Sequence, residues 1–303
     1  MSKEKILYKI NSISELHHLL KLPPPKHPLL SKVENSQLIV GDFSPAQSIV
    51  LGFYGISYKA STTGKMGYGQ GYYDFDEGGM IYTAPGQIVE AHDSTGYIGY
   101  TLFIHPDFIQ NYPLGINIKK CGFFSYDINE ALHLSESERE VILGLFADID
   151  NELNMSIDET SQDVLVSYIE VLLNYSKRFY KRQFITRKTI NHDLLAQMEH
   201  LLNAYFSKEI FLTDGLPTVD YFADKLHISP RYLSDMLRSL TGQSARQHIH
   251  EKLIEKAKEY LSTTSLSVAE IAYRLGFERP QSFNKIFKQK TELSPLAFRA
   301  SFN

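Results

Sequence analysis

The chain has 303 residues, 43% of them hydrophobic and 22% charged, which is enough for two packed cores. Its single cysteine, Cys121, excludes an intramolecular disulfide framework, and no apolar run approaches the ~18 residues of a spanning helix. The net charge of −4 is uneven: residues 218–303 hold 13 Lys and Arg against 9 Asp and Glu, a local +4, which points to a polyanion partner for that end. The N-terminal MSKEKILYKINSIS lacks the apolar centre of a signal peptide, so a cytoplasmic protein with no membrane partner is expected.

In chain order, LPPPKHP at 22–28 is an extended Pro-rich arm, a linker or an edge cover. Residues 38–126 carry short runs rich in β-branched and aromatic residues, among them LIVGDF, IVLGFYGISYKAS, GMIYTA and GYIGYTLFI. Gly, Pro, Asp and Asn separate them at hairpin-like intervals, which predicts a β-barrel or jelly roll. Ser135 with Glu138 forms a capping box before VILGLFADIDNEL. A long helix over 158–182 follows, its buried face drawn from Val164, Leu165, Tyr168, Ile169, Val171, Leu172, Tyr175 and Phe179. QFITRKTI (183–190) is read as a linker, 191–206 as an amphipathic helix and 207–217 as a loop.

The C-terminal part repeats itself. Phe222, Ala223, Leu226 and Ile228 align with Ile271, Ala272, Leu275 and Phe277 at an offset of 49. One extra residue in the second turn raises the offset to 50, and Pro230, Leu233, Met236, Leu237, Thr241 and Ser244 then meet Pro280, Phe283, Ile286, Phe287, Thr291 and Ser294. Each copy reads as helix–turn–helix. Gly276 suits a left-handed turn that His227 must adopt in the first copy, and Ser229-Pro230 is an N-cap followed by proline at the first helical position. Leu233, Met236, Leu237 and Leu240 face inward. Arg231, Tyr232, Ser234, Asp235 and Arg238 face outward, as do Gln281, Ser282, Asn284, Lys285 and Lys288 in the second copy. Such side chains can bond base edges and phosphates in a major groove. Between the copies, Ala245, Ile249, Leu253, Ala257 and Leu261 form one stripe of a scaffold helix.

At ADKLHISPRYLSDMLRSLTGQS and VAEIAYRLGFERPQSFNKIFKQKTELSPLAFR the chain resembles the AraC/XylS family of bacterial transcription regulators. The resemblance covers roughly 216–302. It implies a double helix-turn-helix domain over 207–303 that binds double-stranded operator DNA. Carried over by position, it implies base contacts from Arg231, Ser234, Asp235, Gln281, Ser282 and Lys285. Phosphate contacts are implied for Ser229, Arg238, Arg279 and Lys288. Asp235 can accept from a cytosine amino group or orient Arg231 or Arg238. Where the family has Thr-Gly, this chain has Thr291-Glu292, with a small expected cost in stability.

The resemblance further implies a cupin-like sensor over 1–134, a helical dimerisation or connector region over 135–206, a homodimer, a small-molecule effector, and contact with RNA polymerase as an activator makes. GGMIYTAPGQIV looks like a cupin strand–turn–strand. No His-x-His pair stands in the β-rich region, which offers only His92 and His105 with Glu90, so no metal, cofactor or catalytic residue is expected. His17-His18 and His248-x-His250 are poorly spaced for a metal, and GYGQGYYDF (67–75) reads as a hairpin rather than a phosphate loop. Tyr54, Tyr58, Tyr68, Tyr72, Tyr73, Tyr82, Tyr97 and Tyr100 crowd the region and supply candidates for an effector pocket. The alternatives are a metal-dependent cupin enzyme, or a ligand-free dimerisation or protein-binding module fused to a DNA-binding domain.

Overall fold

Among the described residues, the N-terminal half forms ten strands: β1 (Ile6–Ile10), β2 (Leu30–Glu34), β3 (Gln47–Leu51), β4 (Tyr54–Lys59), β5 (Met66–Tyr68), β6 (Gly71–Tyr73), β7 (Gly79–Thr83), β8 (Ile88–Glu90), β9 (Gly99–Ile104) and β10 (Leu132–His133). The structure is a computed structural model and describes residues 6–38, 47–60, 66–68, 71–73, 78–90 and 98–301. It divides into two units, Met1–Gln183 and Phe184–Asn303, at a point inside the segment read above as a connector.

In the first unit the order β10-β7-β4-β9-β2 makes a five-stranded antiparallel sheet centred on β4, with Ile56 opposite both Tyr82 and Leu102. Tyr54, Ile56 and Tyr58 alternate into the core, as the period of a half-buried strand requires. A three-stranded sheet, β1-β3-β8, pairs β1 with β3 in parallel, and β5 and β6 form the hairpin expected from GYGQGYYDF. Among the described residues these sheets do not close into a barrel. What the structure has in place of the expected jelly roll is a mixture of open sheets and helices, followed by an all-helical unit.

The first unit also contains α1 (Ile13–Leu19), α2 (Pro106–Ile109), α3 (Pro113–Asn117) and α4 (Glu136–Asn154), followed by α5 (Ser161–Thr186). The Ser135–Glu138 capping box opens α4. Asp158, three residues ahead of α5, accepts from the Thr160 hydroxyl and amide and from the Ser161 hydroxyl and amide, and these bonds hold its carboxyl below the usual range. Leu165, Ile169, Leu172 and Phe179 are buried on α5 as expected, but Val164 and Val171 are exposed. The buried face is instead filled by Val166, Leu173, Ser176 and Tyr180, about a quarter-turn round from the predicted one. The linker reading of 183–190 is corrected: α5 continues to Thr186 and α6 (Lys188–Ser207) starts two residues later. QFITRKTI has no Gly or Pro, and only Arg187 (φ −79°, ψ 44°) interrupts the helical backbone between the two helices.

Several candidates of the β-rich region prove to be core. Tyr82 is buried, donates to Ser176 Oγ at 2.6 Å, and burial pushes its phenol above the ordinary range. Tyr54 and Tyr58 are also buried, whereas Tyr100 lies under the Lys32 ammonium at 4.3 Å. His17 is buried and bonded to Pro23 O at 2.6 Å and Ser31 Oγ at 2.8 Å, pinning the Pro-rich arm to β2. His105 caps α2, and Cys121 is buried. The side chains of Tyr68, Tyr72, Tyr73 and Glu90, and Tyr97 and His92 altogether, lie outside the described residues. Among the described residues no group of three or more His, Cys, Asp or Glu is placed to hold a metal, and no helix is long and apolar enough to cross a membrane.

Candidate nucleic-acid interface

After α6 the second unit continues with α7 (Phe211–Asp214), one helical turn inside the segment expected as a loop. It is followed by α8 (Val219–Leu226), α9 (Pro230–Thr241), α10 (Ala245–Thr263), α11 (Val268–Arg274), α12 (Pro280–Thr291) and α13 (Pro295–Ala300). The repeat is visible at every joint. Thr218 caps α8 and accepts from Tyr221 N, while Ser267 and Glu270 form a capping box on α11. The turns that follow each use one left-handed residue: His227 at φ 56° in the first copy and Gly276 at φ 87° in the second. At Gly276 the position also has no room for a side chain, since a Cβ there would lie 2.8 Å from Gly215 C and Leu216 N.

Each second helix then opens on proline and closes on another left-handed residue. Gly242 (φ 79°, ψ −5°) ends α9 and Glu292 (φ 64°, ψ −6°) ends α12, so the glutamate adopts the glycine geometry anticipated for it. Phe222, Leu233, Met236 and Leu237 are buried in the first copy, with Ile271, Leu275, Phe283 and Phe287 in the second. The two cores share α10, whose Ala245, Ile249, Leu253, Ala257 and Leu261 are all buried, and which packs against α6, α9, α11, α12 and α13. At 19 residues α10 is a rod of about 28 Å, of the order of the ~34 Å between successive major grooves on one duplex face. Arg299 Nε donates to Leu261 O at 3.1 Å and ties α13 to the end of α10.

The outward faces are now specific. On α12, Gln281, Asn284, Lys285 and Lys288 are exposed at i, i+3, i+4 and i+7, with Ser282 exposed beside them. The equivalent stripe on α9 is Arg231, Ser234, Asp235 and Arg238, of which the two arginines are exposed and the other two half-buried. Asp235 accepts from Arg231 Nε at 3.0 Å and from Arg238 NH1 at 3.0 Å. Arg279 is exposed at the N-cap of α12.

Two expectations change. Tyr232 does not face outward: it is 6% exposed and packs edge-on against Phe184, with ring centroids 5.2 Å apart. Ser229 is buried, and its hydroxyl accepts from Tyr232 N at 3.2 Å, so it closes the helix rather than meeting solvent. Asn284, which an offset of 50 aligns with Ser234, lies on the same exposed stripe as the residues to which the resemblance assigns base contacts.

Known proteins resemble this chain over its C-terminal part. Residues 222–301 match a family model described as a helix-turn-helix domain. Residues 222–301 are a helix-turn-helix domain of the AraC type. An uncharacterized HTH-type transcriptional regulator of Bacillus subtilis, YfiF, is 30% identical over 48% of this chain and 43% of its own length. The arabinose operon regulatory protein of Escherichia coli is 35% identical over 29% of this chain and 30% of its own. The chain thus spans less than half the length of these relatives. Among solved structures, the DNA-binding domain of AdpA, described as a global transcriptional factor in complex with a target DNA, is 27% identical over 37% of this chain and 91% of that one, with a TM-score of 0.29.

Proposed function

We propose that the protein is a DNA-binding transcription regulator whose C-terminal unit reads operator DNA with α9 and α12 in successive major grooves. The observation that carries this reading is the duplication: two copies of one helix-turn-helix on a shared scaffold helix, each exposing a polar stripe at i, i+3, i+4 and i+7. Arg231, Ser234, Gln281, Ser282, Asn284 and Lys285 meet base edges, and Arg238, Arg279 and Lys288 meet phosphates. No catalytic step is assigned.

The N-terminal unit senses an effector and dimerises. Support for an effector comes from two clefts of about 340 and 300 Å³ flanking the Pro-rich arm, the size of small-ligand sites. The first is lined by His17, Lys32 and Asp150 and the second by His27, Glu152 and Gln162. The exposed Val164 and Val171 on α5 support a homodimer contact. Effector binding shifts the arrangement of the two DNA-binding units in the dimer, and the DNA-bound dimer engages RNA polymerase. The burial of Tyr54, Tyr58 and Tyr82 favours a second reading, in which the N-terminal unit dimerises without a ligand.

Selection of the full chain on a randomised duplex pool, repeated across salt concentrations, tests the core of the proposal. Recovery of two half-sites about one helical turn apart, with log K falling linearly against log salt, supports it. Binding with no recovered motif defeats it. A thermal-shift screen of small molecules separates the two readings of the N-terminal unit, because an effector raises the melting temperature by mass action.

A further inference from the structure

The two recognition helices differ at one equivalent position in the sign of a charge. Asp235 of α9 stands where α12 carries Lys285. A carboxylate facing a groove lined by phosphates weakens binding to every sequence, so its presence there calls for a compensating use.

The geometry supplies one. The Asp235 carboxylate is 18% exposed and lies beneath two arginines that are 47% and 53% exposed. Each of its oxygens takes one of them: Oδ2 accepts from Arg231 Nε and Oδ1 from Arg238 NH1, both at 3.0 Å. The two arginines are held by different edges. Arg231, in the first turn of α9, is held through Nε on the side edge of its guanidinium, an edge different from the end-on pair of terminal nitrogens. That end-on fork matches O6 and N7 of guanine. Arg238, two turns further on, is held by a terminal nitrogen and keeps its other edge for a phosphate. A long flexible side chain held in one conformation before binding loses less entropy when it meets a base.

Resting on the DNA reading above, we propose that Asp235 is a positioning residue that holds Arg231 as the reader of a guanine in the half-site of α9. It lowers affinity for DNA in general and raises discrimination at that one base pair. The second copy lacks the device, since Gln281, Asn284, Lys285 and Lys288 place no acid on its stripe. The half-site of α9 is therefore the more selective of the two, and that of α12 contributes more of the salt-dependent affinity.

The test selects motifs with the full chain as wild type, Asp235→Ala, Asp235→Asn, Arg231→Ala and the double variant Arg231→Ala/Asp235→Ala, and measures affinity for a random-sequence duplex alongside. The wild type is expected to select a guanine that Arg231→Ala no longer selects. Asp235→Ala reduces preference for that guanine about 5- to 150-fold, while its affinity for random duplex is unchanged or tighter. Asp235→Asn, which keeps a carbonyl acceptor, retains part of the preference. In the Arg231→Ala background, Asp235→Ala changes the preference no further. Arg231→Lys retains a cation but loses the planar fork that the bond to Asp235 orients, so its guanine preference falls several-fold. This serves as the test should the Asp235 variants fail to fold.

The proposal is overturned if the guanine preference survives Asp235→Ala, or if the two substitutions alter it independently. It is also overturned if Arg231→Lys retains the preference. In each of these outcomes the DNA reading stands. If the wild type selects no motif, the DNA reading fails and the proposal falls with it.

Discussion

Glu292→Gly is expected to stabilise the C-terminal unit without weakening its hold on DNA. Glu292 ends α12 at φ 64° and ψ −6°, nearly the geometry of Gly242 at the end of α9. A non-glycine residue in that conformation costs ~1–2 kcal/mol. Glycine removes this cost but adds ~0.4–1 kcal/mol of conformational entropy to the unfolded chain. The glutamate also places a carboxylate at a helix C-terminus, where the partial charge is negative, worth ~0.3 kcal/mol at an exposed site. Together these predict a gain of about 1 kcal/mol. The assay is amide hydrogen exchange of α12 in the full chain, where protection from opening of the unit should rise about fivefold. Glu292→Ala is the control, because it removes the charge and keeps the strained backbone, and should recover only the small electrostatic part. Unchanged or reduced protection in Glu292→Gly, or an equal gain in Glu292→Ala, would refute the argument from backbone strain.

Other outcomes follow from the same reasoning. Gly276→Ala should destabilise the unit by more than 2 kcal/mol in urea unfolding, because it combines a left-handed residue with a Cβ 2.8 Å from backbone atoms, adding roughly 1–3 kcal/mol of overpacking to the ~1–2 kcal/mol of φ strain. Lys288→Ala should weaken binding to all sequences alike and reduce the slope of log K against log salt by about 1, whereas Gln281→Ala should relax selection at one base pair of the α12 half-site by ~1–3 kcal/mol. Glu270 accepts from Ser267 in the cap of α11, and its side-chain and backbone bonds to that residue, in that order, hold its carboxyl below its ordinary 4.5. Its contribution is therefore complete above pH 4.5 and lost as pH falls through the lower folded value, so Glu270→Gln should flatten the stability–pH curve in that window. Tyr82→Phe should cost ~0.5–1.5 kcal/mol in denaturant unfolding of the N-terminal unit, by deleting its bond to Ser176.

The C-terminal unit was legible because its signals are local and occur twice. The cap at Ser229, the left-handed sites at His227 and Gly276 and the stripe on α10 are short-range patterns, and the repeated turn and core spacing let each copy check the other. Tyr232 was misread because its amphipathic side chain fits either face of a helix. Only the packing of Phe184, 48 positions earlier, decides it. The same kind of long-range contact explains the N-terminal unit. That Tyr82 would be core rather than pocket depends on Ser176, 94 positions away, and the pairing of β1 with β3 in parallel leaves no mark in either strand. The composition of 183–190 resembles a polar linker, yet all of it but Arg187 is helical, the chain breaking only at that one residue between α5 and α6. Within the interface, residue types were readable from the sequence. The division of roles among Arg231, Asp235 and Arg238 was not, because it depends on which oxygen faces which nitrogen.

The central claim is that the two copies read two half-sites on one face of a single duplex. It is tested most directly by selecting motifs with full-length Arg231→Ala and Gln281→Ala beside the wild type. The account predicts that each substitution relaxes preference at one base pair of its own half-site only, that the two affected positions lie about 10.5 base pairs apart, and that the other half-site is selected as before. Loss of both half-sites together, or of neither, would contradict it.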